Sequence, residues 1–140
     1  MRPTKNQWFM EIARITAKRS TCLRRNVGCV IVDKEGYILS TGYNGVPRDF
    51  THCIESPCQG SKSNSGLNLD SCKALHAEQN AIARLKEPFN AEILYVTTSP
   101  CIACTKLILA TSIKTIIYDV EYINNGKELW LEAKRNWLKL

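Results

Sequence analysis

The sequence predicts an α/β fold. Short apolar runs rich in Val, Ile and Tyr alternate with segments whose apolar residues recur every three to four positions, and the order reads α-β-β-α-β-α-β-α. No segment repeats, and no change of composition marks a boundary between folded units. The 140 residues therefore read as one domain, 1–140, carrying an irregular Cys/His-rich insertion at about 44–72.

Residues 6–19 form the first helix, with Trp8, Phe9, Ile12, Ile15 and Thr16 on one face. Residues 27–32 read as a buried strand. Asp33-Lys34-Glu35-Gly36 then makes a tight turn, Gly36 supplying the positive φ, and residues 37–43 return as the second strand of a hairpin. From Asn44 the composition turns to Gly, Pro, Ser, Asn and Cys and periodicity disappears. A connection this long in a small domain is either functional or pinned by something else, and His52, Cys53, Cys58 and Cys72 lie in it or at its end. Residues 74–86 resume as a helix with Ala77, Ala81, Ile82 and Leu85 on one stripe. Residues 92–97 are a strand, and Pro100 stands where a helix begins and a missing amide is harmless. A fourth strand at 114–120 and a last helix at 127–138, with Leu129, Trp130, Ala133 and Trp137 inward, complete the chain.

A hydrophobic fraction of 44% and a charged fraction of 23% exclude a disordered tail, a collagen-like repeat and a disulfide miniprotein. No run reaches the ~18 apolar residues of a membrane span, and the charged amino end reads as a helix, not a signal peptide. A reducing compartment is the expectation. There, seven cysteines are better explained by metal ligation or thiol chemistry than by disulfides, and an odd number cannot all pair. Cys29, inside Val-Gly-Cys-Val-Ile-Val, fits as a small buried hydrophobe. The net charge of +6 suits a phosphorylated small molecule, a nucleic acid or an idle basic surface.

His76, Cys101 and Cys104 are the candidate zinc ligands. They stand in His76-Ala77-Glu78 and, after 21 intervening residues, Pro100-Cys101-Ile102-Ala103-Cys104. Cysteines at i and i+3 in a first helical turn aim both sulfurs at one point, where unpaired amides and the helix dipole favour thiolate. Three protein ligands leave a tetrahedral zinc one open position, the pattern of a catalytic site, in which a bound water has a pKa near 7. Glu78 is placed to move protons between that water and a leaving nitrogen. The competing reading, a structural zinc with Glu78 as a solvated carboxylate, wants a fourth ligand that this frame does not supply.

H-x-E followed by P-C-x-x-C is the zinc deaminase signature, and the rest of the chain strengthens the likeness. Ser20-Thr21-Cys22-Leu23-Arg24-Arg25-Asn26-Val27-Gly28, Thr41-Gly42-Tyr43-Asn44-Gly45-Val46-Pro47, HAEQNAI and YVTTSPCIACTKLIL resemble the deoxycytidylate (dCMP) deaminases, phage and bacterial type, over residues 8–122. The resemblance implies a cytidine-deaminase-like three-layer α/β/α fold with a mixed sheet. The fifth strand is expected to be absent or confined to the last residues. It further implies zinc-dependent hydrolysis of dCMP to dUMP and ammonia, feeding thymidylate synthesis in the cytoplasm of a bacterial or phage-infected cell. Glu78 would be the catalytic proton carrier, with the Ala77 amide, the Ser99 carbonyl and Asn44 contacting base or sugar.

For the phosphate the candidates are Arg24, Arg25, Tyr118 and Tyr122. An arginine fork suits phosphate best, the alternatives being a basic helix end facing water and tyrosines packed on the sheet. Some relatives carry a second, structural zinc, for which the candidate ligands here are Cys22, Cys53, Cys58 and Cys72, with His52 as alternate, the other reading being small buried hydrophobes and surface thiols. Allosteric members bind dCTP and dTTP with Mg2+ in a hexamer. Here Asp49 stands where their GYNGxPxG loop ends in glycine. The same zinc frame serves tRNA adenosine deaminases and cytidine or guanine deaminases. Scattered basic residues favour a mononucleotide over nucleic acid. A non-enzymatic zinc module would have no use for Glu78.

Overall fold

The computed structural model describes residues 1–57, 64 and 73–140. The first helix opens with a capping box: the Thr4 hydroxyl accepts the Gln7 amide, and the Gln7 side chain accepts the Thr4 amide. This helix, α1, runs Lys5–Ala17. β1, Gly28–Asp33, and β2, Ile38–Tyr43, follow as an antiparallel hairpin. The Asp33 carboxylate accepts the amides of Glu35 and Tyr37 across the turn, where Gly36 has φ 88°. α2 is Ala77–Ala83, β3 Ala91–Thr98, α3 Ile102–Leu109, β4 Thr115–Val120, α4 Lys127–Glu132 and β5 Asn136–Lys139.

Among the described residues the strands form one mixed sheet in the order β2-β1-β3-β4-β5. β1 is antiparallel to both neighbours, while β3, β4 and β5 run parallel and so require crossovers, which α3 and α4 supply. Phe9, Met10 and Ala13 of α1 cover one face, on Val30, Val32, Tyr95 and Ile117. Ala77, Ala81, Ile108 and Trp130, from the other three helices, cover the opposite face, on Cys29, Ile31, Leu94 and Ile116. The result is the three-layer α/β/α arrangement expected. Because β1 loses water on both faces, it reads as an unbroken apolar run, and Cys29 is indeed a fully buried part of it.

Three expectations need correction. The buried stripe of α1 is Phe9, Met10, Ala13 and Ala17, whereas Trp8 and Ile15 are 49% and 58% exposed. The reason is close approach: a Cβ on Gly28 would lie 1.9 Å from the Ala13 carbonyl oxygen, so α1 meets β1 backbone to backbone at Ala13, and that contact fixes the face bearing Phe9, Met10, Ala13 and Ala17 inward. α2 is shorter than residues 74–86, because His76 is its N-cap and Arg84 already its C-cap. The last helix stops at Glu132. Lys134 takes φ 59°, and Asn136–Lys139 becomes β5, paired with β4 from Asn136 opposite Thr115. Trp137 reaches the core all the same, from a strand, with its ring 5.6 Å from that of Tyr118. The fifth strand is thus present and confined to the last residues.

Arg135 holds this turn together. Its guanidinium lies 5.1 Å from the centre of the Trp130 ring and donates to the carbonyls of Leu109, Thr111 and Ile113, capping the end of α3. Arg135→Ala is expected to cost about 2–3 kcal/mol in denaturant unfolding, since it strands partly buried carbonyls. Arg135→Lys should recover less than half, because an ammonium cannot form the same fork. A loss under about 0.5 kcal/mol for the alanine variant would contradict this.

The irregular segment is closed at its neck. Gly45 and Leu75 exchange backbone hydrogen bonds at 3.1 and 2.9 Å, so the ends of the 46–74 stretch meet beside the start of α2.

Candidate active site

Two helix starts build the site. His76 caps α2, its amide donating to the Gln79 side chain at 2.7 Å. Cys101 caps α3, its sulfur accepting the Cys104 amide at 3.4 Å. Pro100 therefore sits one place outside the cap, not at the first helical position. Thr105, fully buried, donates to the Cys101 carbonyl at 2.8 Å, and the Gly126 amide donates to the Pro100 carbonyl, so the turn is latched from both sides. α2 is set by β2: a Cβ on Gly42 would lie 2.3 Å from the Ala77 carbonyl oxygen, so glycine fixes how closely His76 and Glu78 approach the sheet.

These supports bring His76, Cys101 and Cys104 together, with one donor atom from each lying within 4.8 Å of the others. His76 Nδ1 is 3.2 Å from Cys104 Sγ and 3.5 Å from Cys101 Sγ. Metal–donor bonds of ~2.0–2.3 Å at tetrahedral angles place such atoms roughly 3.5–3.8 Å apart, so the residues fit zinc with little movement. Nδ1 is the nitrogen that faces the sulfurs. Among the described residues this is the one cluster with a metal-ligand geometry.

The protonation pattern is equally specific. A hydrogen bond from the Cys104 thiol, aided by His76, lowers Cys101 to about 4 against the cost of burial. The same bond and burial push Cys104 far up, and the Cys101 thiolate raises His76. The metal-free site is thus a thiolate held by a neighbouring thiol and an imidazole, and metal binding would expel the retained protons. One consequence is measurable. In chelator-stripped protein, iodoacetamide should alkylate Cys101 at a rate nearly flat from pH 8 to about 5, while an ordinary thiol slows tenfold per unit below about 8.5. Zinc should protect it. A tenfold fall per unit at Cys101 itself would contradict the thiolate assignment.

Glu78, in the first turn of α2, is 4% exposed, and burial raises its pKa above the ordinary carboxylate range. His76, Ala77, Glu78, Ser99 and Cys101 line a cleft whose lining also includes Asn44, Arg24, Arg25 and Tyr122. The Arg25 guanidinium lies 4.6 Å from the centre of the Tyr122 ring. Arg24 Nη1 donates to the Asn64 carbonyl at 2.9 Å. Tyr118 does not reach the cleft: its ring is 5% exposed and packs in the core against Trp137, which removes it from the phosphate candidates. Asn44 lines the cleft with its amide engaged by backbone, Oδ1 accepting from Val27 and Nδ2 donating to the Arg25 carbonyl. Val27 and Thr98 also line the cleft; both lie inside the segments that carry the resemblance, but neither is singled out there.

Of the second-zinc candidates, Cys22 borders the same cleft, Cys53 is 2% exposed, and His52 is exposed. Cys58 and Cys72 lie outside the described residues. Asp49 has φ 73°, the left-handed conformation that glycine favours, so the loop keeps the glycine backbone form with an aspartate in it.

The model of the cytidine and deoxycytidylate deaminase zinc-binding region matches residues 3–120. Deoxycytidylate deaminase of Mycobacterium phage D29 is 38% identical over 126 residues, 86% of this chain and 98% of that protein. Deoxycytidylate deaminase of Schizosaccharomyces pombe is 43% identical over 125 residues, 86% of this chain. The chain spans only 38% of that yeast relative and 39% of its Saccharomyces cerevisiae counterpart. The crystal structure of dCMP deaminase from cyanophage S-TIM5 in complex with dCMP and dUMP superposes with a TM-score of 0.82 at 31% identity, covering 100% of this chain and 99% of that one. With a match that runs from the capped first helix to the end of β4, the chain belongs to the cytidine and deoxycytidylate deaminase zinc-binding family.

Proposed function

We propose that this protein is a dCMP deaminase, a hydrolase that converts dCMP and water to dUMP and ammonia and so supplies dUMP for thymidylate synthesis. One observation carries the reading: a buried carboxyl, Glu78, stands beside a His/Cys/Cys triangle of zinc dimensions in a cleft that also presents Arg25. The phage D29 and S-TIM5 relatives, matched over nearly their whole length, support dCMP as the substrate.

Zinc held by His76 Nδ1, Cys101 Sγ and Cys104 Sγ would supply Lewis acidity that makes water a nucleophile near neutral pH. The chain does the rest. Glu78 takes a proton from the attacking water and delivers it to N3 of cytosine, then carries the second proton to the amine leaving C4. Its buried position suits this role, because a carboxyl that holds a proton readily can store it between transfers. The Ala77 amide and the Ser99 carbonyl, which line the cleft with Glu78, orient the base, and Asn44 lines the cleft with its side chain tied to the backbone of Arg25 and Val27. Arg25, stacked on Tyr122, receives the phosphate, with Arg24 beside it.

Zinc-loaded protein given dCMP, dCTP, cytidine and tRNA side by side should turn over dCMP at the highest kcat/KM. Preference for any other substrate overturns the reading.

The proposal extends to one catalytic domain with its insertion tied down by a second zinc on Cys22, Cys53, Cys58 and Cys72. Burial of Cys53 and the closed neck at Gly45 and Leu75 support it. Elemental analysis should find two zinc ions per chain, and one would contradict it. The glycine-like backbone of Asp49 supports retention of the loop that serves dCTP and dTTP, with Mg2+ and a hexamer, in allosteric relatives.

A further inference from the structure

Arg25 and Tyr122 reach the cleft from separate segments of the chain, one from the junction between α1 and β1, the other from the connection between β4 and α4. Each is held from behind by one buried polar side chain. Asn44, 8% exposed, accepts the Val27 amide at 2.8 Å and donates to the Arg25 carbonyl at 2.6 Å, and its own amide donates to the Val27 carbonyl at 3.2 Å. Ser99, 3% exposed, accepts the Tyr122 amide on its hydroxyl at 2.7 Å and donates its own amide to the Val120 carbonyl at 2.9 Å.

The side-chain atoms of both residues are therefore engaged with the backbone that carries the stack. A guanidinium 4.6 Å from a ring centre depends on where both backbones stand, since a planar fork lying on an aromatic face tolerates little displacement before its donors turn away from an anion.

We infer that the side chains of Asn44 and Ser99 are positioning residues that set substrate specificity, by fixing the Arg25–Tyr122 stack where it meets the phosphate. The inference rests on the proposed assignment of Arg25 to the phosphate. It separates two roles of Ser99: its carbonyl faces the base, and its hydroxyl acts at a distance, through Tyr122. It also moves Asn44 from a direct contact to one that works through Arg25.

The test is a double-mutant cycle on zinc-loaded protein, read as the ratio of kcat/KM for dCMP to kcat/KM for deoxycytidine, with zinc content and melting temperature recorded for each variant. Arg25→Ala should lower the ratio at least tenfold. Asn44→Ala and Ser99→Ala should each lower it at least fivefold, the loss appearing in KM for dCMP. Neither should lower it further when added to Arg25→Ala. Losses that fall equally on both substrates, or that persist undiminished in the Arg25→Ala background, overturn the inference and leave the phosphate assignment standing. An unchanged ratio in Arg25→Ala itself overturns both. The two positions follow different strands, β2 and β3, so if one variant fails to retain zinc the other decides.

Discussion

Replacing Glu78 with glutamine is expected to lower kcat on dCMP by roughly three to four orders of magnitude while zinc content and melting temperature stay at the native level. The amide has the shape of the carboxyl and can accept a hydrogen bond, but it cannot take and return a proton. Glu78 sits in the first turn of α2 at 4% exposure, so bulk water offers no substitute carrier at that position. Nor should the structure suffer. A neutral amide removes the desolvation cost that pushes the buried carboxyl up in pKa, so stability should hold or rise slightly. A variant with native zinc and a kcat within tenfold of wild type would show that Glu78 is not the proton carrier.

Cys104→Ala should be more damaging still, with no zinc retained after dialysis and kcat/KM on dCMP at least ten-thousandfold down. Cys104 is fully buried on the inner side of α3, 3.2 Å from His76 Nδ1, and among the described residues the cluster offers only His76 and Cys101 besides it, with Glu78 alongside as the proton carrier. Chelator-stripped wild-type protein is the matching control. It should be equally inactive and should recover on adding zinc, whereas the variant should not. Native zinc content with native activity in Cys104→Ala would remove this residue from the ligand set.

The site was legible in the sequence because its chemistry is local. Cys101 and Cys104 share the start of one helix, and His76 and Glu78 the start of another, so the motif spacing names the residues, and the packing of α2 and α3 on the sheet brings them together. Tertiary contacts decided what spacing could not. Trp130, Ala133 and Trp137 fit a helical stripe as well as a strand entry, and pairing with the open edge of β4 settled the matter in favour of β5. Trp8 and Ile15 look like core residues of α1, yet the backbone contact between Ala13 and Gly28 sets which face of the helix turns inward, and Phe9 and Met10 fill the core from that face instead. Tyr118 and Tyr122 are four apart at the end of β4, and only the sheet shows that one enters the core while the other reaches the cleft. The engagement of Asn44 with Arg25 and Val27 left no trace in composition or period, since it joins residues 19 and 17 positions apart.

The most direct measurement is a crystal structure of zinc-loaded Glu78→Gln protein with dCMP, with data collected on both sides of the zinc absorption edge. The account predicts an anomalous peak bonded to His76 Nδ1, Cys101 Sγ and Cys104 Sγ, the cytosine C4 facing residue 78, and the phosphate on the Arg25 guanidinium. Zinc bound elsewhere, or a nucleotide seated with its phosphate toward His76 and its base toward Arg25, would contradict it.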